Sequence, residues 1–185
     1  MLIPLGFLAG SGGGIDTDYE LIETQILGSA QSSVTFTGLG TYSSTFRHLQ
    51  IRAVTRVATG NDNTLLRING DTGSNYNWHE LYTYAPATSV GSASGTSQTS
   101  IKAIYGDSGT SNAYGAGVID ILDAYSTTKT KTVKIFTGAT DDIFVALRSG
   151  FWNSTASITS LTLLGASGLN MAANSRFSLY GIRGQ

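Results

Sequence analysis

A chain of 185 residues with 11 basic and 12 acidic side chains has a net charge of −1, so it lacks the basic footprint that tracks a phosphate backbone, and nucleic acid is not an expected partner. Cysteine is absent, which excludes disulfides, zinc ribbons and thiol catalysis. Gly, Ser and Thr number 23, 22 and 24, and a chain of this length can bury roughly 70% of its unfolded surface as one unstapled domain.

The first segment, Leu2–Ala9 (LIPLGFLA), is apolar but far shorter than the roughly 20 residues that span a bilayer, so no membrane insertion is expected. It also makes a poor secretion signal: the first basic residue is Arg47, Pro4 and Gly6 interrupt the run, and no A-x-A pattern follows. Gly10-Ser11-Gly12-Gly13-Gly14 then forms a tether. Residues 1–18 therefore read as an extended arm whose Leu2, Ile3, Leu5, Phe7 and Leu8 are expected to dock into another subunit. Residues 19–185 read as a single β domain.

From Tyr19 the pattern is β throughout. Leu21–Leu27 and Val34–Phe36 read as the first two strands. His48–Val57 alternates, with Leu49, Ile51, Ala53, Thr55 and Val57 in one phase and Gln50, Arg52, Val54 and Arg56 in the other, which fits a half-buried strand. Leu65–Ile68 leads into Asn69-Gly70, a pair that tolerates positive φ at both centres of a type I′ turn. Asn77–Tyr84 is an aromatic-rich strand. Residues 86–100 (PATSVGSASGTSQTS) read as a small-polar loop with nothing to bury. Further strands are expected at Ile101–Ile104, Val118–Leu122, Val133–Phe136, Phe144–Leu147, Ile158–Leu164 and Phe177–Ile182. Many short strands with two prolines and no 3.6-residue period point to an antiparallel β-sandwich of roughly ten strands, jelly-roll-like. The last strand should pair inside a sheet.

Candidate chemistry is sparse. His48 is expected at a turn or in solvent, and His79 lies in Trp78-His79-Glu80. A Ser-His-Asp set is spatial and stays open, but no G-x-S-x-G elbow is present. Carboxylates pair at Asp16/Asp18, Asp120/Asp123 and Asp141/Asp142. Spacing three in a strand sends Asp120 and Asp123 to opposite faces, and Asp141-Asp142 reads as turn chemistry. A calcium site near Asn61-Asp62-Asn63 lacks an EF-hand loop. No phosphate loop occurs, and Asn153-Ser154-Thr155 is a glycosylation pattern with meaning only in a secretory pathway. No catalytic, cofactor-binding or metal-ligating residue is assigned. The even-numbered aromatics Tyr76, Trp78, Tyr82 and Tyr84 share one face of a regular strand. They are either core packing or, with Trp152, an interface or a stacking platform for sugars.

Several segments resemble, in order, small virion structural proteins of tailed bacteriophages. They are the apolar start with Tyr19-Glu20-Leu21-Ile22-Glu23-Thr24, then His48–Arg52, Ile68–Tyr76, Ile119–Asp123, Ala146–Gly150 and Ser175–Ile182. The resemblance spans about Met1 to Gly184 and weakens across 86–115. It implies a protein on the exterior of the phage particle and supplies no catalytic residues. The expectation is a non-enzymatic capsid decoration (cement) protein or fibre module. It would be held through its N-terminal arm to other virion proteins and associate with itself, as a homotrimer by the symmetry of such assemblies. The alternative expectation is a lectin-like module of a phage tail or fibre that binds host-surface glycan. No cofactor is implied.

Overall fold

The computed structural model describes residues 18–57, 62–84, 89–107, 112–140 and 143–184. The arm residues Leu2, Ile3, Leu5, Phe7 and Leu8, with Asp16, Asn61, Asp141 and Asp142, lie outside the described residues. The described strands are β1 Tyr19–Ile26, β2 Ser33–Phe36, β3 His48–Thr55, β4 Asp62–Ile68, β5 Tyr76–Thr83, β6 Gly91–Gln98, β7 Ile101–Gly106, β8 Gly115–Leu122, β9 Lys131–Ala139, β10 Phe144–Trp152, β11 Leu161–Gly165 and β12 Arg176–Ile182.

They form an antiparallel sandwich of two sheets. One has eight strands in the order β1-β12-β3-β8-β9-β10-β5-β6, the other four in the order β2-β11-β4-β7. Without the pairs β5–β6 and β9–β10, the remaining eight strands, renumbered in chain order, pair as 1-8-3-6 and 2-7-4-5. That is the jelly roll, two Greek keys folded over one core. The two extra pairs are insertions, and both extend the same sheet beyond β8.

The core lies between the sheets. Leu49, Ile51, Ile119, Ile121, Phe177 and Leu179 from the large sheet meet Phe36, Leu66, Ile68 and Leu163 from the small one, all buried. The alternation of β3 is as the sequence predicts: Ile51 is buried and Arg52 exposed. The last strand, β12, lies between β1 and β3 with Phe177 and Leu179 inward. Asn69 and Gly70 both take positive φ (54° and 66°). Their turn joins no hairpin, because β4 and β5 belong to different sheets; it carries the chain from one sheet to the other.

Two expectations need correction. Residues 86–100 are not a loop throughout, because Gly91–Gln98 is the edge strand β6. Its glycines explain why. Gly95 pairs with Trp78 and Gly91 with Tyr82, and a Cβ on either would lie 2.7 Å from the ring. The strand offers no side chains to bury; instead it seats its neighbour's aromatics. Next, β11 begins at Leu161 rather than Ile158. Asn69 Oδ1 accepts from the Thr159 and Ser160 N–H groups (2.7 and 3.1 Å) and Asn69 Nδ2 donates to Ser157 O (2.9 Å), which holds this stretch in a non-strand path while Ile158 stays buried. His48 meets a turn, one of its two expected settings: it is half-buried, and its Nδ1 accepts from the N–H of Asp123, the first residue of the turn after β8, at 2.8 Å.

Candidate functional site

The small sheet covers one face of the large one. Among the described residues no element packs on the opposite face of the large sheet, and cross-strand register orders its side chains into rows. One row runs Leu81–Leu147–Phe136–Val118–Arg52–Ser178 across β5, β10, β9, β8, β3 and β12. Leu81, Leu147 and Phe136 are 56–58% exposed. Of the ten large apolar side chains exposed among the described residues, seven lie on this face: Leu21, Ile26, Val54, Leu81, Phe136, Val145 and Leu147. Two shallow grooves, about 680 and 790 Å³, run along it and share Val118 and Phe136. A single exposed leucine needs no explanation, but a contiguous apolar row does.

The adjacent row is polar: His79–Ser149–Lys134–Asp120–Gln50–Tyr180. At its β12 end, Tyr19 and Tyr180 stack at 4.7 Å, and the Arg52 guanidinium lies 5.2 and 5.5 Å from the two rings. Tyr19 donates to Gln50, Arg52 Nε donates to Gln50 Oε1 (3.0 Å), and Gln50 Nε2 donates to Asp120 Oδ1 (2.7 Å). Burial raises the Tyr19 phenol's pKa against the lowering effect of Arg52.

Under this face, β5 and β10 hold a buried ion cluster that the sequence reading missed. Glu80 accepts from Arg148 Nε (2.7 Å) and from Lys102 Nζ (2.6 Å). Arg148 also donates to Asn63 Oδ1 (2.7 Å) and to the Ala103 carbonyl. Burial lowers the pKa of Arg148, and the Glu80 carboxylate opposes that shift. Phase was the available signal. Glu80 is even-numbered among Tyr76, Trp78 and Tyr82, and Arg148 is in phase with Ala146 and Trp152, so both point inward.

The aromatics separate into two groups. Tyr76 and Trp152 are core residues, stacked at 6.5 Å. Tyr76 Oη accepts from the Ile68 N–H (3.0 Å), and burial pushes its pKa up to about 12. Trp152 Nε1 donates to Asp71 Oδ2 (2.6 Å), and that bond lowers the Asp71 carboxyl's pKa. Trp78 packs against the core below Lys102, whose Nζ lies 5.2 Å from its ring. Tyr82 is half-buried and Tyr84, beyond the strand end, is 50% exposed. With Tyr105 and Phe144 they line a cavity of about 560 Å³ that also meets Glu80, Lys102 and Asn63. Trp152 and Tyr76 are thus not on the surface with Tyr82 and Tyr84.

The acid–base candidates are not brought together. His79 faces out between Ser149 and Ser94, and Glu80 points to the other face. Asp120, the carboxylate along the same row, is three strands away, about 14 Å. Asp120 and Asp123 are also apart: Asp123 lies beyond β8, accepting from Arg47 Nε and Lys129 Nζ (2.8 and 2.7 Å), which holds its carboxyl at about 2. Among the described residues no cluster of three or more His, Asp or Glu side chains could hold a metal ion. Compared with models of known protein families and with curated proteins, the chain matches none.

Proposed function

We propose that this chain is a non-enzymatic structural protein of a tailed-phage particle, a capsid decoration or fibre module on the particle's exterior, attached through its N-terminal arm. The observation that carries the reading is a jelly roll with an apolar row on one sheet face, in a chain whose sequence also holds an apolar segment at Leu2–Leu8. Surfaces of this kind belong to assembly. The family resemblance supplies the particle. Burying three or four of Leu2, Ile3, Leu5, Phe7 and Leu8 in a partner contributes about 5–10 kcal/mol before ordering costs, and several copies on one particle gain by avidity.

The test adds purified full-length protein and a variant lacking residues 1–14 to particles without the protein, and measures occupancy. The shortened chain should stay folded and fail to join. Equal occupancy would move attachment from the arm to the domain surface.

A second reading, a module that binds host-surface glycan, is favoured by one observation: Tyr82, Tyr84, Tyr105 and Phe144 line a cavity beside Lys102 and Glu80. Aromatic faces next to hydrogen-bonding groups suit a pyranose. Tyr84→Ala should then abolish retention on a glycan array; no retention of the parent chain rejects this reading.

A further inference from the structure

We propose that the open face of the eight-stranded sheet packs against the same face of a second copy of this chain, about a two-fold axis running along the strands between β9 and β10. The inference goes beyond the particle reading and concerns the free protein. A two-fold interface must be self-complementary, and the register allows a direct check. Rotation about that axis lays β9 on β10 of the other copy and β8 on its β5, keeping the rows aligned. Phe136 then meets Leu147 of the second copy, and Val118 meets its Leu81; symmetry makes each contact twice. In the polar row the same rotation sets Asp120 opposite His79 and Lys134 opposite Ser149, again twice, so neither charge faces its like.

Arg52, on β3 at the margin of the overlap, comes opposite Ser92 on β6 of the other copy, so it too meets no like charge. The axis is off-centre in the sheet, so β6 of one copy reaches only β3 of the other. Arg176, Tyr180 and most of the β12–β1 end stay in solvent. The overlap is six strands at about 4.8 Å spacing by seven residues at about 3.3 Å rise, about 660 Å² per copy. That is close to the roughly 800 Å² per partner of a stable interface. Its composition fits too, with an apolar centre and a polar rim. Sheets pack face to face at about 10 Å, a gap that leucine and phenylalanine side chains fill.

The experiment uses the full-length chain. Light scattering on a sizing column should give twice the chain mass. Leu147→Arg and Phe136→Asp should each weaken pairing by about thirty-fold or more, as loss of a central contact does, and leave the melting temperature near the parent's, since both positions are exposed in the single copy. Thr35→Arg, on the outer face of the small sheet, should pair normally. Because the chain has no cysteine, the variant carrying both Leu81→Cys and Val118→Cys gives a clean covalent readout. The two positions are about 14 Å apart within one copy but face each other across a gap of about 10 Å, too wide for a direct disulfide and matched to a short bis-maleimide, which should yield a covalent dimer. A monomeric or trimeric parent, a mass indifferent to Leu147→Arg, an uncross-linked double-cysteine chain, or loss of pairing on removal of residues 1–14 would each overturn the proposal. Particle occupancy is measured separately, so failure here is distinguishable from failure of the attachment reading.

Discussion

The jelly-roll strands and the two inserted pairs, β5–β6 and β9–β10, differ in what they bury and what they expose. In the centre of the jelly roll the inside is hydrocarbon and the outside polar: β3 turns Leu49 and Ile51 in and Gln50 and Arg52 out, and β12 turns Phe177 and Leu179 in and Ser178 toward the other face. In the insertions the inside sets Glu80, Arg148, Thr137 and Lys131 among Tyr76, Val133, Ile135 and Trp152, while Leu81, Phe136, Val145 and Leu147 point out. Strands that are apolar in the outward phase and satisfied in the inward phase suit a sheet covered on both faces. The difference teaches that the added strands do more than extend the core: they supply Leu81, Phe136, Val145 and Leu147, the larger share of the exposed apolar side chains on the face that Leu21, Ile26 and Val54 of the jelly roll also line.

The largest effect should come from a charge in the jelly-roll interior. Ile51→Asp places an unpaired carboxylate among hydrocarbon and should cost about 5 kcal/mol or more, enough to unfold most single domains. Arg52→Asp, one residue on and facing out, should stay within about 1 kcal/mol of the parent in urea denaturation. Equal losses would erase the contrast between the two phases of β3.

In the inserted half the inside already contains ions, so the matching experiment has a different outcome. Arg148→Met leaves Glu80 with Lys102 as its one cation among the described residues and removes the donor to Asn63 Oδ1 and the Ala103 carbonyl; it should cost about 3–5 kcal/mol. Adding Glu80→Leu to that variant should recover part of the loss, because a well-packed apolar pair removes the uncompensated charge. Simple additivity of the two single losses in denaturant titrations would show that Glu80 and Arg148 do not act as a unit.

This contrast also marks what the sequence made legible. Eleven of the twelve described strands follow from period-2 alternation and turn residues, because jelly-roll strands such as β3 obey the apolar-in, polar-out rule that the reading relies on. The rule failed where burial came from glycine. Nothing in SVGSASGTSQ signals a strand, since Gly91 and Gly95 contribute the absence of a side chain, and only the opposing Tyr82 and Trp78 give that absence a use. The site was less legible than the fold. The aromatics were noticed, but Tyr76 and Trp152 are core, and the apolar row Leu81–Leu147–Phe136–Val118 is assembled by a strand order that places β5 after β10. No local pattern encodes that order.

The glycine seats allow a milder test. Gly95→Ala puts a methyl 2.7 Å from the Trp78 ring and should cost about 1–3 kcal/mol through overpacking. The loss should be local: hydrogen exchange should speed up in β6 and the β5 amides that face it, while β3 and β12 exchange as before. Uniform acceleration across both halves would mean that the insertion and the jelly roll open as one unit.

The smallest effect is electrostatic and lies at the jelly-roll end of the molecule, where Asp123 sits between Lys129 and Arg47. Hydrogen bonds from Lys129 first and Arg47 second hold its carboxyl at about 2, below the ordinary 3.8. A folded-state pKa below the unfolded value means that the contribution is complete above about pH 4 and is lost as the pH falls through about 2. Both cations are at least half exposed (50% and 58%), so solvent screens the pair and the contribution should stay under about 1 kcal/mol. Asp123→Asn should therefore lower the urea midpoint slightly at pH 6, with the difference shrinking in high salt and vanishing as both proteins are taken toward pH 2. Arg148→Met provides the control for the comparison, because its deficit arises from buried groups and should persist in high salt at neutral pH. An Asp123→Asn deficit that is insensitive to salt and unchanged at pH 2 would place its origin in the backbone instead. Asp123 has a φ of +48°, a conformation that asparagine also tolerates, so the substitution leaves that backbone in place and isolates the charge.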